Sequence, residues 1–136
     1  MTRDLTAEFR SQPEPFSTLV GLQVEEVRKD FCRMRLPFRP EVRTSGVVVH
    51  GGAIATLIDT AAVAAVWSDV HPKVTRGATA SMTVNYLAAA QDVDLIATAQ
   101  VIRRGRSVVF VDVDVFSSRD ERIAKGIVTY KLGYGK

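Results

Sequence analysis

The groups in this chain best able to do chemistry lie close together, in His50-Gly51-Gly52 and, nine residues after the histidine, Asp59. Two successive glycines put no side chain over their backbone N–H groups. At a helix N-terminus such groups sit at the positive end of the dipole. They can then donate hydrogen bonds to a carbonyl oxygen that becomes negative during acyl transfer. Asp59 stands in an otherwise apolar run of Ala, Ile and Leu. A carboxylate there is costly to bury unless it is paired or catalytic. Nine residues of helix span roughly 13 Å at a rise of 1.5 Å per residue. His50 and Asp59 of one chain therefore cannot address the same reacting atom. If both act, they meet across two chains, with one helix N-terminus facing the other chain's Asp59.

A long helix must position these residues. The segment from His50 to about Ser68 is the one long helix candidate, and its apolar residues recur all round, which predicts burial on most faces. Residues 4–11 predict a short helix stopped by Pro13 and Pro15. Strands are expected at Thr18–Arg28 and Phe31–Phe38, the second at a sheet edge because of Pro37 and Pro40. After the helix, strands are expected at Ala78–Leu87, Val93–Arg103, Ser107–Ser117 and Arg122–Leu132. Val109, Val111, Val113 and Val115 alternate with Asp112 and Asp114, the period of a half-buried strand. Short links between successive strands predict antiparallel neighbours. The expected fold is α+β, in the order ββ–α–ββββ, with about six strands. One helix covers one face of such a sheet, so the other face is solvated or becomes an association surface.

Composition narrows the classes of function. The 136 residues are 46% hydrophobic and 24% charged, which fits one domain over 1–136. A net charge of +3, scattered along the chain, gives no reason to expect a nucleic-acid partner. One cysteine, Cys32, excludes an internal disulfide and a Cys-based zinc site, and it reads as a small buried apolar residue. With two histidines, His50 and His71, no metal site is expected within one chain. The first eleven residues carry Arg3, Asp4, Glu8 and Arg10 and no apolar stretch, so a cytoplasmic protein is expected. The apolar run Ala53–Trp67 is too short for a membrane span. No dinucleotide, P-loop, serine-elbow or zincin motif is present.

His50-Gly51-Gly52-(x)6-Asp59-x-Ala61 followed by Val84-Asn85-Tyr86-Leu87 resembles the hotdog-fold acyl-CoA thioesterases of the phenylacetyl-CoA thioesterase (PaaI-like) type. Leu36-Pro37-Phe38-Arg39-Pro40-Glu41 and Val101-Ile102-Arg103-Arg104-Gly105-Arg106 fit as well, so the match covers about residues 16–132. The resemblance implies a hotdog fold and hydrolysis of an acyl-CoA, aryl or medium-chain, without a cofactor. It implies a homo-oligomer, a dimer or tetramer of dimers, with the site shared between two subunits. Asp59 would be nucleophile or general base. The Gly52 N–H would polarise the thioester carbonyl, with Gly51 and His50 shaping the turn. A hydroxyl on the third strand of the partner chain would assist; Thr79 matches best, with Ser81 beside it. Arg103, Arg104 and Arg106 would meet the CoA phosphates, or simply form a solvated hairpin.

The family's usual Asn, six residues before the His, is replaced here by Thr44, or by Arg43 if the loop is one residue longer. That departure keeps a rival in view, a non-catalytic acyl-CoA-binding or assembly module on the same scaffold. A hotdog hydratase would need a histidine base inside the helix, and none is present.

Overall fold

The computed structural model describes residues 3–135. Met1, Thr2 and Lys136, the ends of the expected 1–136 domain, lie outside the described residues. Helix α1, Leu5–Arg10, starts at Asp4, whose carboxylate accepts the Ala7 N–H at 3.0 Å. Helix α2, Pro15–Val20, begins on a proline and ends at Gly21 in the left-handed region (φ 91°). Strands β1, Gln23–Arg28, and β2, Phe31–Leu36, follow. After a 3-10 turn at Pro40–Val42 comes α3, Gly51–Trp67. The chain finishes with β3, Val74–Tyr86, β4, Leu95–Arg104, β5, Val108–Ser117, and β6, Arg122–Tyr134.

The order ββ–α–ββββ and the long helix agree with the sequence, and the arrangement is a hotdog fold. α3 packs on β4, β2 and β5. Leu57, Ile58, Ala61, Ala62 and Ala65 on the helix share one core with Ala97, Ala99, Val109, Val111, Val113 and Val115, all fully buried. Small residues on both sides let helix and sheet approach closely. Each buried valine contributes about 1.5–3 kcal/mol as an upper bound. Cys32 is fully buried, and burial pushes its thiol up to about 12. Among the described residues no helix is long and apolar enough to cross a membrane.

Several expectations are corrected. Residues 18–20 belong to α2 rather than to a strand: Pro15 suits the first helical turn, where its missing N–H is not needed. β2 is an interior strand, paired with β1 and β4, because it ends at Leu36 and Pro37 never interrupts the ladder. The sheet order is β1-β2-β4-β5-β6-β3, so β3 pairs with β6 and not with its sequence neighbour β4. The connection 87–94 runs instead alongside the loop before α3, with the Val49 N–H on Ala90 O and the Asp92 N–H on Val47 O, both 2.8 Å.

The sheet's outer face is ionic. Lys125 Nζ donates to Asp112 at 2.6 Å and to Asp114 at 3.2 Å. Arg35 donates to Glu25 at 2.8 Å and to Asp94 at 3.1 Å, while Arg33 donates to Glu25 and Glu26. Half-buried Phe110 and Phe116 lie among these charges on β5. Uncovered apolar groups lie along β3 and beside it, at Met82 (36% exposed), Tyr86, Leu87 and Ile127, and also on α2 at Phe16 and Leu19, in the loop before α3 at Val47, and on β4 at Ile102.

Candidate active site

His50 is the N-cap of α3, in extended backbone, with its ring folded over the helix start. Its Nδ1 accepts the Gly52 N–H at 2.7 Å, which assigns the neutral ring with its proton on Nε2. The donor expected to polarise a carbonyl is thus occupied within the chain. Ala53 and Ile54 donate to His50 O at 2.9 and 3.2 Å. Of these first-turn N–H groups, the one at Gly51 has no acceptor among the described residues. The structure moves the free donor from Gly52 to Gly51.

Tyr86, unassigned by sequence, holds this end in place. Its Oη donates to Gly51 O at 2.8 Å, and its ring lies 3.5 Å from where a Cβ on Gly51 would stand. The signal for it was its place in the Val84–Leu87 run that carried the family resemblance. An open recess of about 370 Å³ lies beside it, lined by Val48, Gly51, Ile54, Tyr86 and the alanines after Leu87.

Asp59 sits about 12 Å further along α3 at 1.5 Å per residue and is half-buried. Thr79 Oγ1 on β3 donates to Asp59 Oδ1 at 2.7 Å. This charge-assisted bond forms within one chain, whereas the resemblance implied a hydroxyl from the partner chain. Among the described residues Oδ2 has no donor and stays free to act. Ser81 is not an equivalent alternative. A bulge between Thr79 and Ser81 adds one residue to β3, so Thr79 pairs with buried Tyr130 and Ser81 with outward Thr129. Thr79 therefore faces the helix, and Ser81 faces away.

The arginine hairpin divides. Arg104 turns inward: its Nη2 donates to Asp30 Oδ1 at 2.8 Å and to Val66 O at 3.0 Å, neutralising the C-terminal end of α3. Its Nη1 is buried and has no partner among the described residues. Arg103 and Arg106 are exposed, Arg106 lying over the Tyr134 ring at 5.1 Å. This hairpin stands at the end of α3 opposite His50. Arg43 and Thr44 are exposed, and neither side chain bonds His50; the Gly52 N–H holds the imidazole in place of the missing amide.

Residues 46–124 match the family model of the thioesterase superfamily, and the chain belongs to that superfamily. The medium/long-chain acyl-CoA thioesterase YigI of Escherichia coli K12 is 25% identical over 133 residues, covering 88% of this chain and 86% of that protein. The structure of conserved protein PA5202 from Pseudomonas aeruginosa superposes with a TM-score of 0.83 at 29% identity, covering 89% of this chain and 95% of the other. A thioesterase from Haemophilus influenzae reaches a TM-score of 0.87 at 16% identity, covering 98% and 93%, a likeness of fold.

Proposed function

We propose that this chain is a cytoplasmic, single-domain acyl-CoA thioesterase that hydrolyses aryl- or medium-chain thioesters in a site shared by two copies. The observation that carries the reading is the Thr79–Asp59 pair, a carboxylate whose second oxygen has no donor among the described residues, beside a strand that none of those residues covers. Superfamily membership and the printed activity of the relative YigI support the thioester as substrate.

The thioester carbonyl accepts from the Gly51 N–H at one subunit's helix start, where Tyr86 and His50 keep the turn rigid. Asp59 of the other subunit, oriented by Thr79, attacks the carbonyl carbon or takes a proton from the water that does. The tetrahedral oxyanion is stabilised by the helix N-terminus and collapses with cleavage of the C–S bond. In the general-base route Asp59 hands the proton it took from water to the departing CoA sulfur. In the nucleophilic route CoA leaves as the thiolate and water then hydrolyses the acyl–Asp59 anhydride to the free acid, its protons going to the thiolate and the solvent. Arg103 and Arg106 are available to the CoA phosphates, and no metal or redox group is needed.

Thiol release from aryl- and medium-chain acyl-CoAs tests the proposal. Asp59→Asn is expected to lower kcat by about 10²–10⁴-fold, the range for a positioned base. Full activity in that variant would remove Asp59 from the mechanism. Tight calorimetric binding of a non-hydrolysable analogue without thiol release from the wild type would instead favour a binding module.

A further inference from the structure

A cavity of about 890 Å³ lies between α3 and the N-terminal segment, within the size range of small-molecule sites. One of its walls is a single stripe of α3, Thr60, Val63, Ala64 and Trp67, and this stripe starts at the residue after Asp59. Phe9, Leu22 and Met34 face it with apolar surface. Charged residues stand at the cavity too: Arg3 bonds Glu8 at 2.8 Å, Arg10 bonds the β1 carbonyls of Val24 and Glu25, and Glu14 stands at the rim.

We propose that this cavity receives the acyl chain, that the Trp67–Tyr130 pair closes its far end, and that the chain is thereby selective for straight medium-length acyl groups. The inference rests on the thioesterase reading above and specifies its substrate.

Trp67 Nε1 donates to Tyr130 Oη at 2.9 Å, and Tyr130 is 5% exposed. A Cβ at Gly77 would overlap the Tyr130 ring, so the bare glycine is what lets that ring lie where it does. Tyr130 is the cross-strand partner of Thr79, which connects the end wall to the Asp59 pair through one rung of the sheet. Burial pushes the Tyr130 phenol up, the Trp67 bond draws it back, and the charges of Asp59 and Glu14 add to the rise. The phenol therefore stays neutral and can close an apolar pocket.

The length follows from the helix. Asp59 to Trp67 is eight residues, ~12 Å at the α-helical rise, and this is the upper bound on the length, because the Trp67 and Tyr130 side chains meet on the Thr79 side. An extended chain advances ~1.2 Å per bond, taking three backbone bonds per residue span, so about ten bonds fit before the indole. That corresponds to an octanoyl or decanoyl group. An aryl acetyl group would fill only the near part.

Trp67 is the chain's single tryptophan and reports occupancy directly. A decanoate brominated at its terminal carbon is expected to quench most of its emission, and a butyrate brominated in the same way to leave it unchanged. Val63→Phe, which fills the cavity, is expected to abolish that quenching. In turnover, wild-type kcat/KM peaks at octanoyl- or decanoyl-CoA. Trp67→Ala raises the tetradecanoyl-to-decanoyl ratio by at least roughly tenfold, as expected when added methylenes gain room. Equal quenching by both bromo acids, or an unchanged ratio in an active Trp67→Ala variant, would overturn the proposal. Chain-length-dependent quenching without hydrolysis of any acyl-CoA would uphold the pocket and sink the thioesterase reading instead.

Discussion

β1 and β3 are both edge strands of one sheet, yet α1 lies along β1 and nothing among the described residues lies along β3. On the β1 side, Thr6 Oγ1 accepts the Val27 N–H at 2.9 Å and donates to Val27 O at 3.2 Å. Arg10 takes up the carbonyls of Val24 and Glu25. Side chains of the N-terminal helix thus satisfy the edge that the backbone leaves open. On the β3 side, every residue from 75 to 83 is exposed, over a strand of 13 residues. A bare edge of that length is a template for pairing with another chain. The contrast teaches where the two roles lie. The β1 edge is finished by local structure, while the β3 edge is open among the described residues, carries Thr79 against Asp59, and is where the proposed shared site needs a second copy.

The sharpest way to break this comparison is to charge the open edge. Thr83→Lys with Asn85→Lys changes two exposed residues of β3, and edge lysines oppose strand pairing. Light scattering is expected to show a 136-residue monomer for this variant and, on the proposed shared site, an oligomer for wild type. Thiol release should fall by about 10²–10³-fold, the cost of losing one oxyanion donor. An active monomer would show that the site is complete within one chain. Opening the other edge should act on stability instead. Thr6→Val strands the Val27 N–H of a residue only 4% exposed, expected to cost about 1–3 kcal/mol in urea unfolding. A loss of oligomer in that variant would erase the distinction between the edges.

The smallest effect concerns the charges on β1. The hydrogen bond from Arg35 holds the Glu25 carboxyl below its ordinary value, with Arg33 adding to it. A depressed carboxylate stabilises the fold above its unfolded value, near 4.3, and loses that contribution as pH falls through the folded value. Solvent screening keeps the contribution below about 1 kcal/mol. Glu25→Gln should therefore be slightly less stable than wild type at neutral pH, with the gap closing toward pH 3 in urea titrations. A gap that persists to pH 3 would show that the pairing carries no stability.

Local chemistry was legible where one segment determines its own structure. The apolar run, the glycines and Pro72 bound α3 to within a residue, and Asp59 stood out because charge inside such a run is costly. The alternation of Val109 to Val115 placed β5 correctly. Legibility failed where distant atoms competed. α2 was hidden because its six residues have no periodicity to read, only a proline at the start and Gly21 at the end. The β3–β6 pairing was hidden because adjacency in sequence suggested β3–β4, while the 87–94 link has partners of its own. Counting by twos could not separate Thr79 from Ser81, since a bulge changes the face without changing the composition.

By itself, then, the sequence determined the residue types and their intervals along the chain: a capped helix, an acid about 13 Å from the cap, and six strands with one helix to cover them. Only tertiary structure decided which groups remain available. Gly52 gives its N–H to His50 and leaves Gly51 free, and Arg104 turns to Asp30 and leaves Arg103 and Arg106 outside. Thr79 reaches Asp59 within one chain. Each of those outcomes is a competition for one hydrogen-bond partner, and spacing along the chain cannot rank partners that folding brings together.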